Sequence, residues 1–145
     1  MEENKYYTPE IEEFCVGFEY ETTYLKSVWT KEVLYKMDSD WFFASYINDA
    51  VETEFRVKLL DRQDIESLGF TDKPIAVDQK FSYYKLLEND KVCQITTYWD
   101  MNKSKRDNLI RIYVGYLNKY PYTEIFRGDI KNKSELQKLL KQLEV

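Results

Sequence analysis

Residues 81–99 read FSYYKLLENDKVCQITTYW. Two runs rich in aromatic and β-branched letters, FSYYKLL and VCQITTYW, flank Glu88, Asn89 and Asp90, a short polar loop of the kind that turns one strand back on another. The pattern predicts a β-hairpin and, with it, an antiparallel sheet as the frame of the chain. On a pleated strand the neighbours Tyr83 and Tyr84 point to opposite faces. One of the two rings is therefore exposed unless both faces of the sheet are covered.

Moving toward the C-terminus, the polar connection DMNKSKRDN leads into NLIRIYVGYL, where Ile110, Ile112, Val114 and Tyr116 make the most apolar face of any strand. That strand is expected near the centre of the sheet. Asn118 to Tyr122, with Pro121 inside, read as a turn before a final strand TEIFRGDI. The last segment, KNKSELQKLLKQLEV, pairs Ser134 with Gln137 as a capping-box signature and spaces Leu136, Leu139, Leu140 and Leu143 at helical intervals. An amphipathic helix over 135–144 should lie across the sheet.

Toward the N-terminus, DRQDIESLGF predicts a two-turn helix over 62–68. Asp61 caps it, Asp64 sets negative charge in its first turn, and Gly69 takes the left-handed position after it, bringing Phe70 against Ile65. FRVKLL places Phe55, Val57 and Leu59 on one strand face. Between Asp38 and Glu54 the period becomes helical through Phe43, Tyr46, Ile47 and Ala50. EEFCVGFEYE, residues 12–21, alternates as a half-buried strand, with Phe14, Val16, Phe18 and Tyr20 inward and Glu13, Cys15, Gly17, Glu19 and Glu21 outward. SVWTKEVLY completes a hairpin with it. The fold class expected is α+β: a mainly antiparallel sheet of six to seven strands, with the C-terminal amphipathic helix and one or two short helices packed on it. A chain of 145 residues fits a single globular domain over 1–145 that buries about 68–70% of its unfolded surface.

Composition removes several function classes. A formal charge of -5 opposes nonspecific nucleic-acid binding, which needs Lys and Arg to displace counterions from phosphates. No apolar run approaches the roughly 18 residues of a membrane span, and the opening MEENKYYTPE lacks the basic and apolar regions of a signal peptide. A cytoplasmic protein with two free thiols, Cys15 and Cys93, is expected. The chain has no histidine, which removes the commonest general base and metal ligand and excludes Ser-His and Cys-His pairs. GxGxxG, GxxxxGK[ST] and CxxC are absent. No catalytic residue, metal ligand or cofactor is assigned.

The remaining candidates are surfaces. Nine aromatic residues, Tyr6, Tyr7, Tyr83, Tyr84, Tyr98, Trp99, Tyr113, Tyr120 and Tyr122, exceed what one sheet face and two or three small helices cover, although an excess of Lys (16) over Arg (5) points to an AT-rich coding sequence that also enriches Tyr. Tyr83, Tyr84, Tyr98, Trp99 and Tyr122, with the carboxylates of Glu19 and Glu21, form a candidate partner surface, since aromatic rings offer large contact area at low entropic cost. Glu19 and Glu21 lie two apart on one face, close enough to share a divalent cation; the simpler reading is a solvated face that discourages edge-to-edge pairing. Lys103, Lys105 and Arg106, beside Tyr98 and Trp99, are a candidate anion contact where a base can stack, or ordinary loop solvation. Arg127-Gly128-Asp129 spells RGD, but at a strand end it reads as chance.

Three stretches, YYTPEIEEF with GFEYE, LLDRQDIESLGF, and IFRGDIKNKSELQKLLKQL, together resemble a group of small uncharacterised proteins encoded by gut Bacteroidetes and their bacteriophages. The resemblance spans both ends and the middle of the chain. It rests on strand, cap and helix letters, so it implies an origin and transfers no functional residues. The function expected is a small non-enzymatic interaction protein, phage-encoded or phage-related, in the cytoplasm of a bacterial host. It would engage a protein partner or itself through an aromatic and acidic surface. The alternatives are a small-ligand or nucleotide binder using the 99–106 loop and, third, a carboxylate-dependent metal enzyme.

Overall fold

A computed structural model of the protein describes residues 5–24, 28–34, 53–72, 81–97 and 108–145. They form an α+β chain that divides into two compact units, 1–59 and 60–145. Each unit has its own four-stranded antiparallel sheet and its own hydrophobic cluster. The strands that a single sheet of six or seven was expected to hold are thus shared between two sheets. Alternation identifies strands but not their hydrogen-bonding neighbours, and one strand, of two residues, is too short to alternate visibly. Of the helix expected between 38 and 54, residues 38–52 lie outside the described residues, and Thr53 and Glu54 belong to the strand Thr53–Lys58 instead.

In the second unit the order is β5-β6-β7-β8, a meander of Ser82–Leu86, Lys91–Thr97, Leu109–Tyr116 and Lys119–Asp129. The hairpin at 81–97 forms as its letters predict. Leu87 N–H donates to the Lys91 carbonyl at 2.7 Å, and Asn89 and Asp90 take the left-handed φ of 57° and 58° that tight reversals require. β7 lies inside the sheet, between β6 and β8. The turn before β8 is tighter than expected: Asn118 has φ 60°, and β8 starts at Lys119 and runs through Pro121. An outer strand tolerates proline, which has no N–H to give a neighbour.

Helix α1 (Arg62–Ser67) and helix α2 (Lys133–Gln142) pack on one sheet face. Ile65 and Phe70 near α1, and Leu136 and Leu140 of α2, share a core with Tyr83, Cys93, Ile95, Ile110 and Ile112. Each fully buried Ile or Leu contributes about 1.5–3 kcal/mol. Asp61 and Asp64 form a reciprocal capping box at the start of α1, and Gly69 follows it with φ 92°. The start of α2 differs from expectation. Asn132, not Ser134, is its cap: Asn132 Oδ1 accepts from Glu135 N–H at 2.9 Å, while Glu135 reaches back to accept from Lys131 N–H at 2.7 Å.

In the first unit the order is β1-β4-β2-β3, from Tyr6–Tyr7, Thr53–Lys58, Glu19–Tyr24 and Thr30–Val33. Phe55 and Val57 point to one face and join Phe14, Phe18 and Leu34 in its core. The stretch 12–21 corrects the sequence reading, because only residues from Glu19 onward are strand. Ile11–Glu13 is a 3-10 turn, and the chain reverses at Val16 and Gly17, where Gly17 has φ 88°. Val16 is 62% exposed rather than inward. Phe14 and Phe18 still meet, edge to face at 5.0 Å, because the glycine folds one back toward the other.

Candidate functional site

In the first unit, the face of the sheet opposite Phe55 and Val57 gathers unlike charges. The β2–β4 register sets Glu21 opposite Arg56, and the β2–β3 register sets it opposite Lys31. Arg56 Nε donates to Glu21 Oε2 at 2.6 Å, and both side chains are largely buried. The flat guanidinium is also covered by rings, its central carbon standing 3.8 Å from the Tyr6 ring centre and 4.1 Å from that of Trp29. Such contacts contribute about 0.5–1 kcal/mol each when exposed and more when desolvated. Beside Arg56 runs an open groove of about 720 Å³, lined also by Tyr6, Thr8, Trp29 and Glu54. Glu19 meets Lys31 at 3.8 Å. Each carboxylate of the predicted acidic pair therefore faces its own cation, and among the described residues no three His, Cys, Asp or Glu side chains cluster as a metal site.

In the second unit, β8 is open to solvent on both faces from Lys119 to Ile125, with only Tyr122 partly covered. Tyr116 and Tyr120 are 52% and 54% exposed, and Ile125 is exposed as well. The rings of Tyr120 and Tyr122 meet at a tilt, with centres 5.5 Å apart and planes at 57°. Tyr122 is placed by Gly115, since a Cβ there would stand 2.8 Å from the ring carbon Cγ. Only a residue without a side chain lets the ring lie that close to β7. The Tyr122 hydroxyl is buried with no hydrogen-bond partner among the described residues, and burial, with the Tyr120 phenol adding to it, raises its pKa. Farther along, Glu124 holds Arg127 through two contacts of 3.0 and 3.2 Å and lies 3.7 Å from Arg111. The Arg127 hydrogen bonds hold the Glu124 carboxyl below its usual range.

The other predicted positions fall as follows. Tyr83 and Tyr84 do point to opposite faces, but both faces are covered at β5 and the rings are 6% and 2% exposed. Among the described residues, the large exposed aromatic rings of this unit are Tyr116 and Tyr120 instead. Tyr122 lies beside them. Tyr98, Trp99, Lys103, Lys105 and Arg106 lie outside the described residues. Both cysteines are free, and burial pushes the Cys93 thiol up to about 12, which leaves it an inert core group. Arg127 of the RGD tripeptide sits within β8 and is tied to Glu124.

Sequence reasoning did not single out Arg56. Its partner Glu21 is 35 positions away, and only the strand register joins them.

No protein-family model, curated protein or solved structure matches this chain. Among the described residues, no helix is long and apolar enough to cross a membrane.

Proposed function

We propose that this chain is a small non-enzymatic interaction protein, phage-encoded or phage-related and acting in the cytoplasm of a bacterial host. It engages a protein partner, or a second copy of itself, through the β7–β8 hairpin. The observation that carries this reading is the pair Tyr116 and Tyr120, large rings more than half exposed on a hairpin whose outer strand is open on both faces. Tyrosines at such positions anchor interfaces, because a stiff amphipathic ring buries much area for little lost entropy. Indiscriminate strand-to-strand pairing is discouraged by Pro121, by the charges of Lys119, Glu124 and Arg127, and by two register shifts between β7 and β8. Contact by side chains is the mode that remains. The overall charge of -5 favours a partner whose surface is basic.

The test is a Tyr116→Ser, Tyr120→Ser variant beside the wild type. Both rings are exposed, so the fold and its circular dichroism should be unchanged. Capture of a host protein, or self-association in sedimentation, should be lost. Retention of either at wild-type strength would remove the hairpin from the account.

A further inference from the structure

We infer that the groove beside Arg56 is a binding site for a carboxylate carried on a flat, largely apolar ligand such as an aryl carboxylate. A guanidinium has five N–H donors in a rigid plane. In Arg56 the Nε–H is taken by Glu21 at 2.6 Å, and the central carbon stands over the Tyr6 and Trp29 rings, 3.8 and 4.1 Å from their centres. The two terminal amino groups have no hydrogen-bond partner among the described residues, and they are the edge that Arg56 has left to offer to the groove. Two parallel N–H groups on a fixed plane match the two oxygens of a carboxylate.

The clamp also removes the usual cost of using an arginine. Its side chain is already held by one short hydrogen bond and two rings, so little rotamer freedom is left to lose on binding. The volume of about 720 Å³ lies within the roughly 300–1,000 Å³ range of small-molecule sites. Tyr6 and Trp29 line the groove with Arg56, giving aromatic walls against which a flat ligand body can stack.

The apolar walls select among oxyanions. Inorganic phosphate has no apolar body to stack on the Tyr6 and Trp29 rings. The site therefore favours the carboxylate.

Benzoate and inorganic phosphate, titrated separately into the full chain at constant ionic strength and followed by NMR chemical shifts, test the inference. Benzoate should shift the resonances of Tyr6, Trp29 and Arg56 saturably, and phosphate should bind more weakly. Arg56→Met should weaken benzoate about tenfold or more, the effect of losing a charge-assisted pair of hydrogen bonds. Arg56→Lys keeps the charge but not the fork; it should weaken binding as well, and it serves if the methionine variant does not fold. Glu21→Gln still offers an oxygen to Nε and removes one repelling charge, so it should bind benzoate at least as tightly as the wild type. Absence of a saturable shift in the wild type, equal benzoate affinity in the wild type and both Arg56 variants, or tighter binding of phosphate than of benzoate would each overturn the proposal. The Tyr116→Ser, Tyr120→Ser variant should bind benzoate as the wild type does.

Discussion

Gly115→Ala is the most informative single perturbation of the hairpin. A methyl group at this position would stand 2.8 Å from Tyr122 Cγ and 2.9 Å from Cε1, whereas carbon atoms pack at about 3.5–4.0 Å. Tyr122 Cδ1 is nearer still, so the ring must retreat by more than about 1 Å. Overpacking of this kind costs about 1–3 kcal/mol. The backbone of Gly115 is not in the left-handed region, so alanine fits it without strain. Alanine also restricts the unfolded chain, returning about 0.4–1 kcal/mol. The variant should be less stable than the wild type by up to about 2.5 kcal/mol, the difference between those two effects. In a Tyr122→Ala background the methyl meets no ring, and the same change should be neutral or stabilise by up to about 1 kcal/mol. Urea unfolding of the four proteins, with unchanged denaturant slopes, yields a coupling of about 1–3 kcal/mol. The displaced ring should also bring its buried hydroxyl to water, so the Tyr122 pKa in Gly115→Ala should fall toward the ordinary phenol value, read by ultraviolet titration. If Gly115→Ala has the same effect in both backgrounds within about 0.5 kcal/mol, Tyr122 does not rest on Gly115 and the hairpin surface is wrongly drawn.

Three further outcomes follow from the same geometry. Ile112→Ala, in the core under both helices, should cost about 2–5 kcal/mol in urea unfolding; a cost below about 1 kcal/mol would place it outside the core. Asn132→Ala should destabilise by about 0.5–2 kcal/mol and by more than Ser134→Ala, and the reverse order would return the cap of α2 to Ser134. A thiol reagent at neutral pH should modify Cys15 in the folded chain and reach Cys93 only on unfolding. The Cys93 thiol is raised from an ordinary 9.0 to about 12. Its contribution to stability is therefore whole below pH 9 and lost as pH climbs toward 12, because the unfolded thiol ionises first. Native-state labelling of Cys93 as fast as Cys15 would contradict this.

What could be read from the letters was what neighbours decide. The 81–97 hairpin follows from alternation and a three-residue turn, and the ends of α1 follow from Asp61, Asp64 and Gly69, all within a few positions of the backbone groups they satisfy. The leucine stripe of α2 is equally local. The failures have a common form. Gly17 converts an alternating run into a turn, and Phe14 and Phe18 reach a core by either route, so hydrophobic spacing does not separate the two. Asn132 and Ser134 can both cap a helix. The choice goes to Asn132 because Leu60 N–H holds the Lys131 carbonyl at 2.7 Å, fixing where the extended chain ends. The division of strands between two sheets, the covering of Tyr84 and the meeting of Arg56 with Glu21 all depend on pairings far apart in sequence, which periodicity does not record.

The interaction reading is tested most directly by immobilising the wild type and the Tyr116→Ser, Tyr120→Ser variant and exposing both to bacterial host lysate, with sedimentation of each protein alone across a concentration series. The account predicts a discrete partner, or reversible self-association, with the wild type and neither with the folded variant. A wild type that stays monomeric and retains nothing, or a variant that behaves as the wild type does, would contradict it.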